Sequence, residues 1–208
     1  MSLNVTEIKH ALALHHLAKL RARDTTPADF RRHIGVLASM LVVEATRELA
    51  VEPVTIQTPL EEMQTKQLSG RIAAVPILRA GLGMLEPTIN MIPDAETWHL
   101  GLYRDEATAQ PVSYYDKLPD SDPVATALVL DPMLATGGSA ALAIERLKSW
   151  GVPKILMLSV IAAPEGIERL NESFPDVAVF TCAVDRELNE QKFIMPGLGD
   201  AGDRIFNT

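Results

Sequence analysis

Leu128-Val129-Leu130-Asp131-Pro132-Met133-Leu134-Ala135-Thr136-Gly137-Gly138-Ser139 is the stretch from which the rest of the chain can be read. Residues 127–130 have the length and β-branched content of a strand buried on both faces, as in a parallel sheet. Asp131 then stands at the strand's carboxyl end, where open α/β sheets bind their ligands. The small residues Ala135, Thr136, Gly137 and Gly138 let backbone amides approach an anion. Thr136 and Ser139 add hydroxyl donors, and the helix that follows presents the positive end of its dipole. Strand, acid, small-residue loop and helix, in that order, suit a phosphorylated ligand.

Two familiar phosphate motifs are excluded. A Walker loop requires Gly-x-x-x-x-Gly-Lys-Ser/Thr, and no lysine follows Gly138. Gly81-x-Gly83, after another apolar run, supplies only half of the dinucleotide fingerprint.

The loop resembles the phosphoribosyl pyrophosphate (PRPP) loop of the phosphoribosyltransferases. In that family an acidic residue contacts the ribose hydroxyls and the residues after it wrap the 5′-phosphate. The resemblance therefore implies PRPP contacts from Asp131, Pro132, Met133, Leu134, Ala135, Thr136, Gly137, Gly138 and Ser139. Most relatives carry two adjacent acidic residues, and here Pro132 takes the second place. That departure fits one branch, the uracil phosphoribosyltransferases, whose loop commonly reads Asp-Pro-Met-Leu-Ala-Thr-Gly-Gly-Ser. Taken alone, the loop could also be an ordinary strand-to-helix junction with small residues for packing.

Three further segments bear on the branch. Val75-Pro76-Ile77-Leu78-Arg79-Ala80-Gly81-Leu82-Gly83-Met84 looks like the pyrophosphate-side loop of these enzymes, with Arg79 as the anion ligand. A guanidinium suits that task because it is always charged and takes two oxygens in one plane. An isolated arginine at a strand end is more often a surface ion pair. The segment Gly101-Leu102-Tyr103-Arg104-Asp105-Glu106, with Pro111-Val112-Ser113-Tyr114-Tyr115, resembles the arm of the uracil enzymes and implies a second pyrophosphate contact from Arg104. Tyr114 and Tyr115 read more simply as packing residues of a solvated hairpin.

The C-terminal run Phe193-Ile194-Met195-Pro196-Gly197-Leu198-Gly199-Asp200-Ala201-Gly202-Asp203-Arg204-Ile205-Phe206 matches the base-binding end of that branch almost residue for residue. Uracil offers acceptor, donor, acceptor along O2, N3 and O4, and backbone groups brought close by glycine can return the complement. The resemblance implies uracil contacts from the backbone of Ile194, Gly199, Asp200 and Ala201, with Asp200 also touching PRPP. Cytosine would set an amino donor against a backbone donor, and each buried unpaired group costs about 1–3 kcal/mol. Ile194, Leu198, Ile205 and Phe206 supply apolar anchors against fraying, and Asn207 stands where relatives usually have glycine.

Composition excludes several classes. One cysteine, Cys182, rules out a disulfide framework within the chain and any cysteine-cluster metal site, and its apolar surroundings predict a buried structural thiol. The sequence has neither a run of ~18 apolar residues nor a basic region leading into an apolar core, which predicts no membrane span and no signal peptide. A net charge of −8 argues against nonspecific nucleic-acid binding. The expected setting is the cytoplasm.

The chain of 208 residues reads as one domain with strand-helix alternation, behind a helical extension over 1–50 and ending in a base-binding hood over 184–208. The predicted fold class is α/β: a mostly parallel central sheet flanked by helices, with N-terminal helices, a β-arm and the hood. Leu12, Leu14, Leu17 and Leu20 mark an amphipathic helix, and Thr26-Pro27-Ala28-Asp29 caps a second that should run to about Ala50. Ile34, Leu37, Leu41 and Val42 on it read as core or subunit contact. His10, His15, His16 and His33 have no carboxylate or cysteine partner at useful spacing and read as surface or packing residues. Strands are expected over 54–58, 72–78, 97–103, 127–130, 155–162 and 177–183, with helices over 82–91, 139–150 and 165–171.

If the resemblance holds, the reaction is displacement of pyrophosphate from C1 of PRPP by N1 of uracil, giving UMP. It implies Asp131, Arg104 and Asp200 as catalytic residues, and Mg2+ as cofactor, held by PRPP and water rather than by protein side chains. It also implies self-association as a dimer or larger homo-oligomer, and GTP as a candidate effector, as in some relatives. Two alternatives stay open at this point: transfer to a purine or to orotate, and a PRPP-fold regulator that binds RNA.

Overall fold

The computed structural model describes residues 4–104 and 111–208. Strand β1 (Val5–Glu7) leads into helices α1 (Ala11–Arg21) and α2 (Pro27–Ala45). A hairpin of β2 (Val51–Gln57) and β3 (Glu62–Leu68) follows, then β4 (Ile72–Leu78), α3 (Leu82–Met91), β5 (Glu96–Thr97), β6 (Leu100–Arg104) and β7 (Pro111–Asp116). The second half comprises β8 (Thr126–Leu130), β9 (Met133–Leu134), α4 (Gly138–Trp150), β10 (Lys154–Ser159), β11 (Ile161–Ala162), α5 (Pro164–Ser173) and β12 (Ala178–Thr181). Two short strands, β13 (Glu187–Leu188) and β14 (Ile194–Met195), precede the last helix, α6 (Ala201–Phe206).

The main sheet has the order β1-β12-β10-β8-β4-β6-β7, with β5 beside β4. Every pairing along it is parallel except β6 with β7. Its central strands are apolar on both faces because both faces are covered. Ile72, Ala74, Leu128, Leu130, Leu156 and Leu158 point into a core shared with α1, α2 and α3. Their neighbours Ala73, Val75, Ala127, Val129, Ile155 and Met157 point the other way, into a core shared with α4 and α5. The period of two divides the strands between two cores. This is the predicted α/β class.

Several predicted boundaries need correction. Helix α1 buries Ala13, Leu17 and Leu20, while Leu12 and Leu14 lie exposed, so the stripe runs through an alanine. His10 is the cap of that helix, its Nδ1 accepting the Leu12 amide at 3.1 Å. Helix α2 opens at Thr26 as expected but ends at Ala45, beyond which the amides of Arg47 and Leu49 bond three residues back, to Glu44 O at 3.3 Å and Thr46 O at 3.1 Å. Its Ile34, Leu37, Leu41 and Val42 are core. The strand expected over 54–58 is part of β2, which pairs only with β3 and stands apart from the main sheet.

The strand expected over 155–162 breaks at Val160, because the amides of Val160 and Ile161 both donate to the Pro132 carbonyl, at 3.0 and 3.1 Å. The strand over 97–103 divides into β5 and β6, and that over 177–183 shortens to β12. Cys182 is buried, which pushes its thiol up to about 12 and leaves it protonated. No helix among the described residues is long and apolar enough to cross a membrane.

Candidate active site

Strands β4 and β8 lie side by side, Pro76 opposite Leu130, so the segments leaving their carboxyl ends begin as neighbours. Asp131 is the first residue beyond β8. Its amide donates to Leu158 O at 3.2 Å, and its carbonyl accepts the buried Ser159 hydroxyl at 2.7 Å. Burial pushes the Asp131 carboxyl up to about 7, opposed by the Met133 amide that donates to it at 3.4 Å.

The rest of the loop is laced to its surroundings. Strand β9 pairs with β11, and the Ala163 amide donates to Leu134 O at 2.9 Å. Helix α5 packs so close beneath that a Cβ on Gly166 would sit 2.4 Å from Ala135 O. Gly137 enters α4 with φ +74°, a left-handed conformation that glycine adopts without strain. The first α4 amide with a helical acceptor is that of Ala141, to Gly137 O at 2.8 Å. A small cavity there is lined by Asp131 and residues 133–140, and the Gly138 amide reaches the Thr136 hydroxyl at 3.5 Å. Neutral donors and a helix dipole, with no cation on the loop itself, are what an anion entering this cavity would meet.

Beyond β4, the Leu78-Arg79 peptide is cis. Gly81 packs against the neighbouring strand end, where a Cβ would meet Leu130 O at 2.4 Å and Ile77 N and O at 2.7 Å. The Arg79 side chain is more than half exposed, 3.4 Å from Asp203 Oδ1 and with its guanidinium 5.8 Å from the Phe206 ring centre. Such an open, long ion pair is weak and leaves the guanidinium available to a stronger anion.

The hood closes over the same end. Ile194, Leu198, Ala201 and Ile205 are buried, while Phe206 remains partly exposed beneath Arg79. Asp200 caps α6, its Oδ1 accepting the Asp203 amide at 2.9 Å, and Asn207 ends that helix at φ +60°, a conformation asparagine tolerates. The amides of Gly199 and Ala201 make no hydrogen bond to another described residue. Arg104 ends β6, and its side chain, like residues 105–110, lies outside the described part. Tyr114 and Tyr115 are exposed on β7, and a Cβ on Gly101 would meet the Tyr114 ring at 2.7 Å.

A family model described as uracil phosphoribosyltransferase matches residues 7–208. The chain belongs to the uracil phosphoribosyltransferase family. It is 51% identical over 200 residues to a uracil phosphoribosyltransferase of Roseiflexus castenholzii, covering 96% of both chains. Identity to the enzyme of that name from Streptococcus salivarius is 46% over 202 residues, with 97% of both covered. Among solved structures, the AQ2163 protein from Aquifex aeolicus superposes with a TM-score of 0.93 at 36% identity over 97% of both chains. An adenine phosphoribosyltransferase from Leishmania donovani shares the fold, with a TM-score of 0.58 at 12% identity over 92% of this chain and 88% of that one.

Within this uracil phosphoribosyltransferase family member, Asp131 and the loop to Ser139, Arg79, and the hood residues Ile194, Gly199, Asp200 and Ala201 belong to segments gathered at one end of the sheet. Sequence reasoning missed what fastens the hood to the helical extension. Arg204 donates to the carbonyls of Leu20, Ala22 and Leu198 and lies over the Phe30 ring at 4.4 Å. Arg21 engages both carboxylate oxygens of Asp185. No sequence signal marked these contacts, since Arg21 lies among Lys19, Arg23 and Asp24.

No group of three or more His, Cys, Asp or Glu among the described residues could hold a metal ion. With Asp131 as the one acid on the loop, a hard cation here would have to take its oxygens from a bound polyanion and water rather than from protein side chains.

Proposed function

We propose that this chain transfers the phosphoribosyl group of PRPP to N1 of uracil, giving UMP and diphosphate in pyrimidine salvage in the cytoplasm. The observation that carries this reading is the meeting of an anion seat at the end of β8 with a hood whose Gly199 and Ala201 amides are unengaged, in a family member matched from residue 7 to residue 208. The loop from Asp131 to Ser139 would take the 5′-phosphate, with the Asp131 carboxylate accepting from the ribose hydroxyls. Arg79 and Arg104 would take the pyrophosphate, while the backbone of Ile194, Gly199, Asp200 and Ala201 reads the base. The whole chain, helical extension and hood included, would work as one unit.

Displacement at C1 builds positive charge on the ribose ring while pyrophosphate leaves with added negative charge. Fixed geometry at the sugar and cations at the leaving group are therefore worth more than a strong base. Mg2+, brought in with the substrate rather than held by protein side chains, would supply part of that charge stabilisation. Uracil N1 is acidic enough for orientation and backbone hydrogen bonds to suffice.

We also take the protein as a homo-oligomer. Val51, Ile56, Leu60, Met63 and Leu68 are exposed on the β2–β3 hairpin, and an isolated two-stranded ribbon is marginal without a partner surface. GTP remains a candidate effector. The direct test is product formation from PRPP and Mg2+ with uracil, hypoxanthine and orotate in parallel: UMP from uracil alone is expected, and a nucleotide from either other base in its place refutes the reading. Arg104→Ala should depress turnover while leaving uracil binding largely unchanged, and an unaltered kcat would remove Arg104 from the mechanism.

A further inference from the structure

The turn of the hood is held by a charged pair that lies outside the residues assigned above to either substrate. Asp185 is buried, its side chain 5% exposed, at the start of the hood. Arg21, the last residue of α1, donates to both its oxygens, through Nη1 at 2.8 Å and through Nη2. The same Nη1 donates to Gly197 O at 2.7 Å, and Gly197 N donates back to Asp185 Oδ2 at 3.0 Å. Both backbone polar groups of Gly197 are thus taken by one ion pair.

Gly197 is the turning point of the hood. Its φ is +66°, and a Cβ there would lie 2.2 Å from Ile194 O, so the chain folds back directly upon Ile194 before it reaches Gly199. Ile194 and Gly199 lie on either side of this turn, and both are assigned to uracil. A guanidinium that grips two carboxylate oxygens in one plane is held in orientation as well as position. Gly197 therefore has little freedom to rock.

We propose that Arg21 and Asp185 are positioning residues for base recognition, fixing the Gly197 turn so that the backbone groups of Ile194 and Gly199 meet the pyrimidine in register. This rests on the uracil reading above and goes beyond it by giving a residue of the N-terminal helices a part in substrate choice. The PRPP loop is built from β8, β9 and α4 and makes no hydrogen bond to either residue.

The test compares steady-state constants of Arg21→Met, Arg21→Lys and Asp185→Asn with those of the unaltered chain, per folded molecule and well below each melting temperature. A backbone shift of an ångström can cost a hundredfold, so KM for uracil should rise by roughly tenfold or more in Arg21→Met and Asp185→Asn. KM for PRPP should stay within about twofold, and the preference for uracil over cytosine should narrow. Arg21→Lys should recover only part of the loss, since an ammonium cannot hold the two oxygens and the carbonyl in one plane.

If a single variant does not fold, the joint replacement Arg21→Met with Asp185→Leu removes the buried charge problem and is measured instead. Uracil and PRPP constants that both stay unchanged, or that move together, would overturn the inference by reducing the pair to a structural fastening. An unaltered chain that forms no UMP would overturn the parent reading as well, and that is seen before any variant is compared.

Discussion

Asp131 shows how much a single side chain can couple binding to pH. Burial raises its carboxyl to about 7, against an ordinary value near ~3.9. The folded chain therefore holds a proton there through mildly acidic conditions; this contribution to stability is present below about 4 and is lost as pH rises through about 7. Ribose hydroxyls donate best to the ionised form, so in the proposed role of Asp131 PRPP binding would have to drive the proton off. PRPP affinity should fall by up to about tenfold per pH unit below 7, with proton release seen as a buffer-dependent heat in calorimetry. Asp131→Asn should abolish that release. Gly81 leaves no room for a side chain, since a methyl there would meet three backbone atoms within 2.7 Å. Gly81→Ala should cost about 1–3 kcal/mol in denaturant unfolding and weaken PRPP binding. A variant as stable and as active as the parent would show that the strand ends can part freely.

At the scale of elements, helices α1 and α2 meet through His16 and His33, whose Nδ1 atoms lie 2.9 Å apart, with His15 edge-on to His16. One ring can donate to the other only while at least one stays neutral. The His33 pKa is lowered, first by burial and next by His16, with Arg32 and His15 acting in the same direction and Asp29 opposing. The folded state thus binds fewer protons than the unfolded chain, and stability present above about 6.5 is lost as pH falls. The melting temperature should drop as pH falls below 6.5, and His33→Gln should flatten that slope. An identical slope in the variant would locate the effect elsewhere. No sequence pattern marks this pair, because the two rings come from different helices, 17 positions apart. The caps at Thr26 and the apolar strands were legible, since a cap acts within four residues and a buried strand advertises itself by composition. Where helix α2 stops was not, since no Gly or Pro marks the point at which the Arg47 and Leu49 amides turn to carbonyls three residues back.

For the whole molecule, the α/β layering and the proposed ligand loops were readable because each rests on a contiguous run of residues. What escaped was assembled across the chain: β1 at the sheet edge, the β2–β3 hairpin standing apart, and the Arg21–Asp185 pair spanning 164 positions. Ile56 and Met63 form a cross-strand pair and both are exposed, as is Leu60. Replacing all three by lysine should lower the mass seen by light scattering to that of one chain, with the circular dichroism of the fold retained. A parent protein that already scatters as one chain would remove the case for self-association.

The common direction of the strands has a practical consequence. Since the segments proposed to bind ligand leave from carboxyl ends, the opposite rim, where Lys154 begins β10, is free of that chemistry. Lys154 is a point at which the protein could be tethered to a sensor surface with its working mouth turned toward the solution.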